Sequence, residues 1–136
     1  MQPDSSAFVA DPDLIRALET RATPVNCDAD GALFHQDEPA VGIYILRGGG
    51  VTLTMTSNDG QPIFSVEAMP GSLLGLPALI GDKPYSLTAS ARKGAQVSFV
   101  SRADFFALVQ ADPQLSLKML QVLAAEVRTA RQALNH

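Results

Sequence analysis

Cys27, His35 and His136 are the three side chains in the sequence best suited to hold a transition metal. They are scattered, and no His-x-His occurs, so the clustered histidine set of a metal-dependent β-roll enzyme is missing. A single cysteine forms neither an internal disulfide nor a multi-thiolate site. Cys27 reads as a small buried hydrophobe, His35 as a surface residue after Phe34, and His136 as the last residue. The carboxylates Asp28, Asp30, Asp37 and Glu38 sit among turn residues and read as solvated turns rather than a calcium loop. No Gly-x-Ser-x-Gly is present, and neither histidine has an evident nucleophile beside it. The basic run Arg92-Lys93-Gly94 reads as an exposed turn. The expectation is a non-enzymatic protein with no catalytic residues, no metal and no cofactor.

The composition agrees with a small binding or regulatory domain. The chain has 136 residues, 46% hydrophobic and 18% charged, which suits one globular core. No apolar run reaches the roughly 18 residues of a membrane helix. The start lacks a basic and apolar leader, so a cytoplasmic location is expected. Net charge is −4, unevenly spread: residues 1–68 carry ten acids and three bases, residues 69–136 four acids and seven bases. The bases are dispersed, which argues against a nucleic-acid surface.

The elements that would position a site follow from pattern. Residues 1–10 read as a disordered leader, and residues 11–136 as a single domain. Asp11-Pro12-Asp13 opens a helix, with Asp11 as cap and proline in the first turn, fading by Thr23-Pro24. From about residue 24 to 101, short apolar stretches are cut by Gly, Pro, Asn and Asp every eight to twelve residues, the pattern of a small β-sandwich or roll. The clearest pair of strands is Gly42–Leu46 and Val51–Thr56, joined through Gly48-Gly49-Gly50. Val51, Leu53 and Met55 alternate with threonines. Asn58-Asp59-Gly60 turns the chain into Ile63–Val66. Ser86–Ala91 and Ala95–Val100 are later strands, and a short buried helical turn is expected around Pro77–Ile80.

The helices of the second half occupy about residues 102–134. Ser101 caps Ala103–Gln110, and Asp112-Pro113 starts a helix to about Leu134, roughly 33 Å long at 1.5 Å per residue. Leu120, Leu123, Val127, Ala130 and Leu134 repeat at 3-4-3-4 spacing, extended upstream by Ser116, and form a heptad seam. Leu115, Met119 and Val122 form a second row. One row is expected to pack on the β-domain and the other to meet a second copy, giving a homodimer.

These elements, in this order, resemble a known family. Gly31-Ala32-Leu33-Phe34-His35-Gln36-Asp37-Glu38-Pro39, Gly42-Ile43-Tyr44-Ile45-Leu46 with Gly49 and Val51, Pro70-Gly71-Ser72-Leu73-Leu74-Gly75, and Val97 through Phe105 are similar to strings of the cyclic-nucleotide-binding domain of the cAMP receptor protein and fumarate–nitrate regulator superfamily. The likeness covers about residues 11–134. It implies a mainly β fold with flanking helices: an eight-stranded double-stranded β-roll, or jelly roll, and a long C-terminal dimerisation helix.

The resemblance also implies a site. In that family the cyclic phosphate is held by backbone N–H groups of the short helical turn and one arginine, and a glutamate just after the turn's glycine receives the ribose hydroxyl. Here the glutamate position is Leu76 and the arginine position is Tyr85, while Pro77 removes a backbone donor. Losing charge-assisted phosphate contacts forfeits several kcal/mol, roughly three orders of magnitude in affinity. The aligned pocket comprises Leu74, Gly75, Leu76, Ala78, Leu79, Tyr85, Ser86, Leu87 and Thr88. It is either open to another small molecule, with the Tyr85 hydroxyl as anchor, or filled by its own side chains. The first case describes a sensor that does not bind cAMP or cGMP in the usual way. The second describes a protein–protein interaction module, and a regulator remnant without a DNA-binding domain is a further alternative. The chain stops two residues after Leu134, so no helix-turn-helix and no direct DNA binding are expected.

Overall fold

The computed structural model describes residues 8–134, with side chains described through Arg128 except Glu126. The chain enters at Phe8, which is buried, and Ala10, whose N–H donates to the Gly71 carbonyl. The fold therefore begins before residue 11, since Phe8, Val9 and Ala10 are bound into it. Helix α1 spans Pro12–Glu19, and its Asp11 cap accepts the Asp13 N–H at 2.7 Å, as the Asp-Pro-Asp string predicts.

Eight strands follow: β1 (Thr23–Val25), β2 (Gly31–Phe34), β3 (Gly42–Gly48), β4 (Val51–Thr56), β5 (Pro62–Glu67), β6 (Leu73–Leu74), β7 (Thr88–Ala91) and β8 (Gln96–Ser101). Helix α2 (Leu76–Gly81) lies between β6 and β7, and α3 (Arg102–Ala111) and α4 (Gln114–Leu134) close the chain. The strands form two four-stranded antiparallel sheets, ordered β1-β8-β3-β6 and β2-β7-β4-β5. This is the double-stranded β-roll. Among the described residues no helix is long and apolar enough to cross a membrane.

The strands β3 and β4, which the sequence presents as the clearest pair, belong to different sheets. β3 bonds to β8 and β6, and β4 to β5 and β7. The glycine run is a corner rather than a hairpin loop. Gly49 has φ +80°, and a Cβ there would lie 2.7 Å from the Ala95 Cα, so only glycine turns this corner. The Asn58-Asp59-Gly60 hairpin does join adjacent strands, β4 and β5.

The sheet containing β3 separates two apolar cores, which explains the unbroken apolar run of that strand. Tyr44 and Leu46 face the space between the sheets, with Phe34, Val51, Leu53, Leu74, Tyr85 and Val97. Ile43 and Ile45 face the helices, with Leu14, Leu18, Leu73, Leu76, Leu79, Val100, Phe105, Leu115, Met119 and Val122. Lys118 of α4 reaches the Asp11 cap of α1 at 3.1 Å, closing the helical layer.

Candidate functional site: the short helix and the long one

The short helix α2 is opened by Gly75 in the left-handed region, φ +93°. Its first residues, Leu76 and Pro77, follow from the sequence: proline suits the first turn because its missing N–H has no partner there. Leu76 and Leu79 are fully buried and face the helical core, while Ala78 faces the core between the sheets. α2 thus hangs by leucines on one side and leaves only Gly75, Pro77 and Ala78 toward the roll interior.

Tyr85 fills that interior. It is 2% exposed, and its ring stacks on Phe34 with centroids 4.0 Å apart. Its hydroxyl donates to the Gly42 carbonyl at 2.7 Å and accepts the Val41 and Gly42 N–H groups at 3.3 Å. Its backbone is held as firmly. The Asp37 N–H donates to the Tyr85 carbonyl at 2.8 Å, and the Tyr85 N–H donates to the Glu38 carbonyl at 2.9 Å. Burial pushes the Tyr85 phenol above the ordinary tyrosine pKa, although the Gly42 and Val41 backbone bonds pull the other way. Gly75 completes the fit, because a Cβ there would come within 2.8 Å of the Tyr85 ring.

The space left is about 20 Å3, lined by Phe34, Gly75, Pro77, Ala78, Tyr85, Ser86 and Leu87. One water needs ~10–15 Å3, and ligand pockets run to roughly 300 Å3 and more. The structure therefore brings Gly75, Ala78, Tyr85, Ser86 and Leu87 to one cavity. Leu74 packs in the roll core, Leu76 and Leu79 point into the helical core, and the Thr88 hydroxyl accepts the Gln36 N–H at 2.9 Å. Phe34 is the neighbour that sequence reasoning did not place at the site. Its position in the β2 string before His35 was the available signal.

No basic side chain lines this cavity. Arg92 instead pairs with Glu67 at 2.8 Å, and the Lys93 N–H donates to Asp30 at 2.6 Å. Neither replaces the phosphate arginine. His35 Nδ1 lies 2.9 Å from Glu38 Oε1. The hydrogen bond from the His35 backbone N–H is the main cause that holds the Glu38 carboxyl below its usual range. Among the described residues no three His, Cys, Asp or Glu side chains group to hold a metal; His136 lies outside the described residues.

The long helix shows the opposite arrangement. Leu115, Met119 and Val122 are buried at 4%, 2% and 3%, so the second row packs on the domain. Leu117, Leu120 and Val127 are exposed at 64%, 59% and 55%. Leu120, Leu123, Ala124, Val127 and Arg128 line an open groove of about 450 Å3. Leu123 packs partly against the helical core. Ala130 and Leu134 of the predicted seam have side chains outside the described residues. Leu117 was missed by the sequence reading, although 117, 120, 124 and 127 also repeat at 3-4-3 spacing.

A cyclic nucleotide-binding domain model matches residues 24–112. The chain is 30% identical over 104 residues to the HTH-type transcriptional regulator Cmr of Mycobacterium tuberculosis, covering 76% of this chain and 42% of that protein. It spans less than half the length of the curated relatives it matches. Among solved structures it superposes on the Thermus thermophilus catabolite activator protein with TM-score 0.77 and 21% identity, covering 97% of this chain and 62% of that one. It superposes on the sensor domain of the transcriptional regulator DNR from Pseudomonas aeruginosa with TM-score 0.67 and 24% identity, covering 90% and 82%. A family match that runs from β1 through α3, on a roll shared with both solved proteins, makes this chain a member of the cyclic nucleotide-binding domain family.

Proposed function

We propose that the chain is a non-enzymatic regulatory domain that does not take cAMP or cGMP in the usual way, because its own Tyr85 occupies the ligand's place. The observation that carries this reading is the Tyr85 side chain: buried, stacked on Phe34, its hydroxyl bonded to Gly42, with about 20 Å3 left beside it. A nucleotide would have to expel the ring and break those bonds. It would then meet Leu76 and Tyr85 where the family offers a carboxylate and a guanidinium, leaving the ribose hydroxyl and the phosphate without charged partners.

In this reading the output surface is α4. The apolar row of Leu117, Leu120 and Val127 supports a homodimer formed through that helix. The net charge of −4 with dispersed bases supports a domain that does not hold DNA by itself. The small residual cavity favours a protein-contact module over a nucleotide sensor. A thermal-shift panel with cAMP and cGMP tests the choice: no shift in melting temperature is expected, and a shift of several degrees would overturn it.

A further inference from the structure

We propose a small-molecule site in this domain, in the mouth of the roll beside Tyr44, built for a neutral aromatic molecule of about the size of indole. A cavity of about 150 Å3 opens there between β1, β2 and β3, lined among others by Val25, Cys27, Gly31, Ala32, Leu33 and Tyr44. The β2–β7 register slips between Ala32 and Phe34, beside this cavity. The room beside Gly31 is open, since a Cβ placed there meets no atom within 4 Å.

The walls select the ligand class. No charged residue lines the cavity, which disfavours anions and cations. The lining mixes apolar Val25 and Leu33 and the Tyr44 ring with polar Asn26, a combination that suits a ring bearing one polar group. Tyr44 supplies the polar handle. Its ring is fixed between Phe34, 5.6 Å away, and Phe99, 5.0 Å away. Unlike Tyr85, its hydroxyl makes no hydrogen bond among the described residues, and burial pushes its phenol up. Half-buried and unpaired, that hydroxyl gains from a ligand group that donates or accepts a hydrogen bond. The site is separate from the Tyr85 cavity, with which it shares no lining residue. It gives the domain a ligand input that does not pass through α2, and its success or failure leaves the reading of Tyr85 untouched.

The test uses indole as probe on the full chain, followed by amide chemical shifts and by the alkylation rate of Cys27. Saturable shifts at Val25, Cys27, Leu33 and Tyr44, with Cys27 alkylation slowed several-fold, are expected. Ala32 is exposed, so Ala32→Trp should close the entrance and abolish both effects while leaving the spectrum elsewhere unchanged. Tyr44→Phe keeps the ring and should weaken indole binding several-fold, which keeps the claim testable if Ala32→Trp does not fold. Shifts that do not saturate, or that centre on Leu87 and Tyr85 or on Leu120 and Val127, would overturn the proposal. So would binding unchanged in both variants.

Discussion

The cavity under α2 and the outer face of α4 are both apolar, and they end differently. Under α2, Tyr85 fills the interior from within the chain with its hydroxyl bonded to the Gly42 carbonyl, and Gly75 leaves space for its ring. On α4, Leu117, Leu120 and Val127 are set at helical spacing and covered by nothing among the described residues. A core satisfied internally adds stability, whereas an apolar row left in water adds none until something covers it. The roll interior is thus closed by its own side chains, while the outer face of α4 is left for the proposed contact.

The contrast is broken most strongly at Val127. In the proposed homodimer, Val127→Glu would place two carboxylates against each other across the two-fold axis, at a cost of about 3–5 kcal/mol. Light scattering should give a dimer for the wild type and a monomer for the variant, with the melting profile of the roll retained. A wild-type monomer at tens of micromolar would remove the α4 half of the comparison.

Tyr85→Ala attacks the other half. Removing a buried ring that stacks on Phe34 should cost about 3 kcal/mol in denaturant unfolding, with the slope unchanged. A variant as stable as the wild type would mean that the ring is not part of the core. Tyr85→Phe is subtler. It keeps the stack and deprives the Gly42 carbonyl of its hydroxyl donor, for a loss of about 1 kcal/mol.

The smallest effect is one of pH. Tyr44 and Tyr85 are the two tyrosines of the chain, and burial raises both in the folded state. The folded protein thus keeps these protons to higher pH than the unfolded chain, whose tyrosines titrate near 10. Their contribution is complete below about pH 10 and is lost as pH climbs through the folded values. Stability should fall above that point, and less steeply in Tyr85→Phe.

Local rules made much of this fold legible. The Asp11 cap, the Ser101 cap, the Val51–Thr56 alternation and the Asn58-Asp59-Gly60 turn each depend on neighbouring residues, and each appears where the sequence places it. What the pattern concealed is non-local. Whether β3 pairs with β4 depends on the crossing of the roll, which no run of five residues encodes. β6 has two residues, too few for a period. At the site, the resemblance drew attention to Leu76, Tyr85 and their neighbours, but the direction of Leu76 and Leu79 toward the helical core depends on how α2 is rolled. Whether Tyr85 leaves a pocket or fills one was likewise undecided, because that depends on Phe34 and Gly42, 51 and 43 residues away in sequence.

Titration calorimetry of the wild-type protein with cAMP and then cGMP addresses the closed cavity most directly. With Tyr85 in place, no binding heat should be detected for either nucleotide up to millimolar concentration. A saturable isotherm with a dissociation constant in the low micromolar range or tighter would contradict the account, since it would require Tyr85 to leave its place and the site to hold the phosphate without an arginine.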